Sequence, residues 1–194
     1  HRNFCTNVLN SWYSYKIGPK DVFLSILPMA HTYEMSIGML YPFSMGAKVE
    51  YIQKVPTPSI LIATLAKIRP TAMLSVPLII EKIYRSSIVP TIAKSKFLSY
   101  LDKHAKWLLY SLVGMKLKKT FGGRMGFFGI GGAKLDPEVE AFLKKTGFPY
   151  AIGYGLTETA PLICTAAPRK TWPGTTGKPV RGIEVKLEDV NPQT

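Results

Sequence analysis

The hydrophobic pattern of the chain switches repeatedly between short continuous apolar runs and longer segments of helical spacing. The runs Val22 to Leu27, Ala47 to Ile52, Ala72 to Val76, Arg124 to Ile130 and Tyr150 to Ile152 predict strands. His1 to Tyr15 predicts a helix with Phe4, Val8, Leu9 and Trp12 on its inner side, stopped by Gly18-Pro19. Tyr33 to Ser44 is apolar nearly all round and predicts a buried helix. Val55 to Pro58 reads as a loop, Ser59 to Ile68 as a helix broken by Arg69-Pro70, and Pro77 opens the next helix, a position that tolerates proline. Asp136 is placed to cap a helix running to Lys145, with Glu138 and Glu140 near its positive end. Pro161 to Ala167 reads as extended and Gly174 to Gly182 as a turn-rich loop. Ile183 to Glu188 alternates apolar and charged residues and predicts a strand with one wet face.

Strands alternating with helices predict an α/β fold, a mostly parallel sheet flanked by helices. Ligands of such sheets collect outside the carboxyl ends of the strands. The segments following the predicted strands are Pro28-Met29-Ala30-His31, then Pro77, then Gly131-Gly132-Ala133, then Gly153-Tyr154-Gly155. The fold brings these to one edge. The last continues into Leu156-Thr157-Glu158-Thr159. Two glycines allow a sharp turn beside a ligand, Tyr154 offers a flat face, Thr157 and Thr159 offer hydroxyls, and Glu158 offers the hard oxygen that Mg²⁺ prefers. That set suits a nucleotide; taken alone it also suits a capped tight turn.

Phe97 to Val113 predicts a single amphipathic helix with Phe97, Leu101, His104, Ala105, Leu108, Leu109 and Leu112 on its apolar side. Between residues 94 and 124 there are eight basic residues and one acid, Asp102, within a chain of formal charge +13. This stretch leaves open peripheral contact with an anionic membrane. A basic module for membrane or nucleic acid is the alternative of a different class. The chain lacks the interleaved aromatic and basic residues of an RNA-binding surface, so nucleic acid is not expected. The 194 residues hold one sizeable core or part of a larger one, and no apolar run approaches the roughly 20 residues of a membrane span. Cys5 and Cys164, without metal-ligand spacing, favour a reducing, cytoplasmic setting, membrane association included. A start at His1 and a turn-like end at Asn191-Pro192-Gln193-Thr194 suggest a piece of a longer protein.

Four blocks carry a resemblance that covers nearly the whole chain. Leu27 to Glu34 resembles an LPxxHxxE block, Val76 to Tyr84 a VPxxxEKIY block, Gly131 to Leu135 a GGAxL turn, and Gly153 to Thr159 a YGxTE signature. Gly177 to Val180 with Ile183 to Lys186 forms a weaker fifth block. Together they resemble the adenylate-forming, AMP-binding superfamily, most closely its long-chain fatty acyl-CoA synthetases. The resemblance implies that ATP and a fatty acid give an acyl-adenylate, which CoA converts to a thioester. It implies that Tyr154 stacks on adenine within the Gly153 to Gly155 segment, and that Gly131, Gly132 and Ala133 line its other side or the acyl pocket. It further implies that Thr157 donates to the α-phosphate, Glu158 binds Mg²⁺ and His31 sits beside the carboxylate and α-phosphate. Val76, Pro77 and Ile80 would wall an acyl tunnel. The acid could equally be another carboxylic acid. Residues 1–194 would then be a partial AMP-binding domain, with the phosphate loop upstream and the ribose-binding aspartate, hinge and lid domain downstream. The expectation is that this piece alone does not catalyse.

Overall fold

The computed structural model describes residues 1–52 and 57–188. Seven strands form one sheet in the order β2-β1-β3-β4-β5-β6-β7. They are β1 (Val22–Ser25), β2 (Lys48–Tyr51), β3 (Ala72–Ser75), β4 (Phe127–Ile130), β5 (Tyr150–Gly155), β6 (Leu162–Thr165) and β7 (Lys178–Pro179). The first five pair in parallel, while β6 and β7 add on antiparallel. The mostly parallel α/β sheet read from the hydrophobic pattern is therefore the fold.

Helices cover both faces. On one side α3 (Pro58–Ile68), α4 (Pro77–Ile83), α7 (Lys106–Thr120) and α8 (Pro137–Lys145) enclose the larger core. There Leu65, Met73, Ile80, Phe128 and Val139 are fully buried, and the rings of Phe121, Phe128 and Phe148 pack edge to face. On the other side α1 (Arg2–Ser14) and α2 (Tyr41–Ser44) pack near Phe23 and Phe127, with Tyr15 stacked on Phe127 at 4.8 Å.

Several predicted elements differ in form. The buried helix after β1 is a widened π-type helix, Glu34–Leu40, that runs into α2. The helix α1 turns Asn7, Asn10 and Ser11 inward beside the apolar side read from the sequence: Phe4, Val8 and Trp12 are half-buried, Val8 and Trp12 against the smaller core, while Leu9 is 56% exposed. Its inner face meets backbone groups that need polar partners, described below. Beyond the short α5 (Val89–Lys94), the single helix expected over Phe97 to Val113 breaks at Ala105 (φ −147°, ψ 59°) into α6 (Lys96–His104) and α7. The break lets Leu101 and Leu109 both turn inward, and it leaves Phe97 and His104 exposed. Ile183 to Glu188 forms no strand. The last strand before it is two residues long, and Val185 and Leu187 lie exposed with no sheet to bury them. Of the expected loop at Val55 to Pro58, residues 55 and 56 lie outside the described residues, as does Asn191 to Thr194; Pro58 already begins α3.

Candidate functional site

The carboxyl ends of β1, β4 and β5 open on one cleft of about 260 Å³. Its lining includes His31, Tyr33, Gly131, Gly132, Tyr154, Gly155, Thr157 and Glu158. A wider groove of about 480 Å³ continues past Ala133, Lys134, Leu135 and Glu140 to Gly174 and Thr175, and shares Tyr154 and Gly155 with the cleft. Seven of the expected site residues thus line the cleft, and Ala133 lines the groove beside it.

Each is held by local structure. β5 runs three residues further than expected, so Gly153-Tyr154-Gly155 is strand rather than turn, paired to β6 through Tyr154 and Cys164. The chain turns only at Leu156. A Cβ on Gly155 would sit 1.8 Å from the Pro161 carbonyl oxygen, so no other residue fits there without moving the turn. Thr157 to Thr159 form one 3-10 turn. Thr159 closes it: its hydroxyl donates to the Leu156 carbonyl at 2.9 Å and to that of Pro161, and accepts from the Leu156 amide at 3.0 Å. Its hydroxyl is therefore spent on the turn and does not face a ligand, unlike the pair of free hydroxyls the motif suggested. The Thr157 hydroxyl and the Glu158 carboxylate, both exposed, have no hydrogen-bond partner among the described residues.

His31 follows β1 on an exposed turn, where its amide donates to the Pro28 carbonyl at 3.0 Å. Its Nδ1 accepts from the Tyr33 amide at 3.1 Å. An imidazole that accepts at Nδ1 carries its proton on Nε2 when neutral, so His31 offers a donor on that side. The Tyr33 ring packs against Gly131, where a Cβ would meet it at 3.2 Å. Burial, and to a lesser degree the Glu34 carboxyl beside it, raises the pKa of the Tyr33 hydroxyl far above its ordinary value, so the hydroxyl stays neutral.

None of the expected acyl-wall residues lines this cleft or the adjoining groove, and Val76 alone stands next to a lining residue. Val76 caps α4 and stands 3.8 Å from the place a Cβ on Gly132 would take. Pro77 is buried at the start of α4, and Ile80 lies wholly within the larger core. The VPxxxEKIY block has a further use that its residue types do not announce. Glu81 accepts from the Asp136 amide at 2.9 Å, Tyr84 donates to Glu138 at 2.8 Å, and Arg85 pairs with Asp136 at 2.6 Å. α4 and the π-type segment that continues it (Tyr84–Ile88) thereby grip the start of α8, just after the Gly131-Gly132-Ala133 turn. Glu140, read as a helix-end charge, is buried and accepts from the Gly174 amide at 2.8 Å, which fixes the far wall of the groove. No spacing rule relates these partners, which lie 34 to 55 residues apart.

Among the described residues no three His, Cys, Asp or Glu side chains gather as a metal cluster. Glu158 stands alone at the lip of the cleft. A single free carboxylate fits Mg²⁺, which retains waters and shares substrate phosphates, better than it fits an ion needing a full protein cage.

The profile of the AMP-binding enzymes matches residues 1–193. The chain belongs to that family. Curated relatives of this AMP-binding chain include the peroxisomal long chain acyl-CoA synthetase 6 of Arabidopsis thaliana, 34% identical over 98% of this chain and 29% of the relative. Another is long-chain-fatty-acid–CoA ligase 2 of Schizosaccharomyces pombe, 28% identical over 98% of this chain and 31% of the relative. The AMP-binding chain thus spans about 30% of the length of these relatives. Among solved structures, a benzoate CoA ligase from Burkholderia xenovorans LB400 superposes with a TM-score of 0.68 at 23% identity, over 95% of this chain and 33% of the other. The o-succinylbenzoate CoA synthetase of Bacillus subtilis with its acyl-adenylate intermediate superposes at 0.70 and 19% identity, over 97% and 32%. These likenesses show the fold. The family that the four motif blocks resemble is the family to which the chain belongs.

Proposed function

We propose that the whole protein is an AMP-forming long-chain fatty acid–CoA ligase, of which this chain supplies the adenylate-binding edge of the sheet. The observation that carries the reading is the single cleft where His31, Tyr154, Thr157 and Glu158 meet. In the first step a fatty-acid carboxylate attacks the α-phosphate of ATP and pyrophosphate leaves. In the second the CoA thiol attacks the acyl carbonyl and AMP leaves. Such chemistry needs reactants held in line and phosphate charge met by fixed donors. His31 donates from Nε2 where carboxylate and α-phosphate meet, and Thr157 donates from its hydroxyl to the α-phosphate. Tyr154, 46% exposed, offers its face to adenine beside Gly132 and Ala133. Glu158 would hold Mg²⁺, which neutralises charge on the phosphates when bound. The acyl chain passes Val76 and Pro77, with Ile80 packed behind them. A small apolar cavity that shares Tyr33 and Gly153 with the cleft, and is lined also by Ile37, Gly129 and Ala151, offers it a second apolar surface. The long-chain relatives support a fatty acid, and the free Cys5 and Cys164 fit a reducing compartment such as the cytoplasm.

The test is ATP–pyrophosphate exchange by the whole protein across fatty acids and aryl acids. Exchange should be fastest with long-chain fatty acids, and Glu158→Ala should slow it on the order of a hundredfold or more while the unfolding temperature holds. Preference for an aryl acid would replace the substrate reading. Unchanged exchange in the variant would remove Glu158 from the metal role.

A second surface favours peripheral contact with a membrane. α6 exposes Lys96, Phe97, Tyr100, Lys103 and His104 along one stripe, and Trp107 beyond the break is 75% exposed. No helix among the described residues is long and apolar enough to cross a membrane.

A further inference from the structure

The turn that carries Thr157 and Glu158 is gripped from outside by two buried polar side chains. Asn7 on α1 is 3% exposed. Its Nδ2 donates to the Thr159 carbonyl at 3.0 Å and to the Asn3 carbonyl at 3.1 Å. Its Oδ1 accepts from the Leu162 amide at 2.7 Å. Ser36, fully buried on the π-type helix, donates to the Ala160 carbonyl at 3.1 Å. Thr159, Ala160 and Leu162 are thus tied to two segments more than a hundred residues away in sequence.

Neither contact follows from ordinary packing. A helix that exposes Leu9 and buries Asn7 gives up apolar burial for a specific polar contact. The Asn7 amide suits that contact: both of its N–H groups and its oxygen are engaged, and it bridges a carbonyl and an amide on opposite sides of the turn. Aspartate of the same shape would lose both donors. The turn has little stiffness of its own, being one short 3-10 segment. The strut from Ser36 also has a geometric consequence. His31 follows β1 and Glu158 follows β5, with β3 and β4 between them in the sheet. Ser36 lies on the helix entered directly after His31, so its bond to Ala160 links the two loops without passing through those strands.

We propose that Asn7 and Ser36 are positioning residues that fix the 156–162 turn, so that Thr157 and Glu158 are presented to the same point as His31. The structural part stands on the contacts themselves; the catalytic part rests on the nucleotide reading given above.

The experiment uses the whole protein with Asn7→Ala, Asn7→Asp and the milder Ser36→Ala. Hydrogen exchange of peptides covering 156–162 is read without any ligand, at a temperature where each variant is folded. ATP–pyrophosphate exchange is read against Mg²⁺, ATP and fatty-acid concentration. The expected result is faster amide exchange confined to that turn and about 10–100-fold slower kcat for Asn7→Ala, the size of buried hydrogen bonds lost with a partner left bare. The Mg²⁺ concentration giving half-maximal rate should rise, the fatty-acid KM should stay within about twofold, and Asn7→Asp should be no better than Asn7→Ala. Ser36→Ala should show the same pattern at smaller amplitude, and it decides the question if the Asn7 variants do not fold. Unchanged amide exchange at 156–162 overturns the brace. Amide exchange that quickens over the whole chain, with activity lost only in step with the folded fraction, overturns positioning in favour of general stability. If the wild-type protein shows no pyrophosphate exchange, the nucleotide reading fails, and the amide exchange still decides whether the turn is braced.

Discussion

Glu34 is the residue whose chemistry is most at odds with its surroundings. It begins the π-type helix with no exposed surface, and neither carboxylate oxygen has a hydrogen-bond partner among the described residues. Burial pushes its pKa up to about 7 from an ordinary 4.5. The folded protein therefore holds this proton through a range in which the unfolded chain releases it. Stability contributed this way is present below about pH 4.5, declines as pH rises and is gone above about pH 7. The full difference is on the order of 3 kcal/mol. Glu34→Gln keeps the shape and removes the titration. Unfolding temperatures of the whole protein measured between pH 5 and pH 8 should fall less steeply with pH in the variant than in the wild type. Parallel curves would mean that Glu34 finds a partner when ionised. The LPxxHxxE pattern marks Glu34 in the sequence, but not that it is buried, because that depends on how the helix after β1 lies against the ends of β1 and β3.

At the scale of elements, the parallel strands were legible because each is a short apolar run closed by a turn, and a buried strand needs no more than that to declare itself. What was not legible is which face a helix turns inward when polar groups decide it. α1 buries Asn7 because Thr159 and Leu162 offer unpaired backbone groups there, and no window of α1 contains that information. The break at Ala105 escaped for a similar reason: Leu101, His104, Leu108 and Leu112 keep helical spacing through it, and only packing on the core divides them. That break sharpens one prediction. With Phe97 60%, Tyr100 61% and Trp107 75% exposed beside Lys96, Lys103 and Lys106, aromatic anchors and basic flanks lie together, the combination that binds an anionic interface. The whole protein should sediment with vesicles containing phosphatidylglycerol and not with pure phosphatidylcholine. Replacing Phe97, Tyr100 and Trp107 by serine should weaken that binding about tenfold or more, with pyrophosphate exchange in solution unchanged. Equal binding to neutral vesicles, or no effect of the triple substitution, would show that this face serves another part of the protein.

The whole molecule shows a contrast between overall charge and local charge. The chain carries a formal +13, with basic residues concentrated at 94–124, yet the cleft that gathers His31, Thr157 and Glu158 has no lysine or arginine in its lining. Lys134 in the adjoining groove is the cation nearest to hand among the lining residues there. ATP brings several negative charges, and Glu158 adds one more at the lip. In the proposed reading one metal ion, one histidine donor and one hydroxyl do not balance them, and phosphoryl chemistry relies on cations and backbone donors placed around the phosphates. On the function proposed above, the residues that complete the charge balance are expected outside this chain, which spans about 30% of the length of its curated relatives. The isolated 194-residue chain should give pyrophosphate exchange at background level with any fatty acid, and should bind ATP only weakly by calorimetry, while the whole protein under the same conditions exchanges. The Asn7 and Ser36 braces lie within the isolated chain, so the 156–162 turn should stay protected from hydrogen exchange even there. A protected turn without activity separates the two contributions: this part of the fold sets the geometry, and the charge comes from the rest. Exchange above background by the isolated chain would show instead that the cleft as it stands is a complete adenylation site.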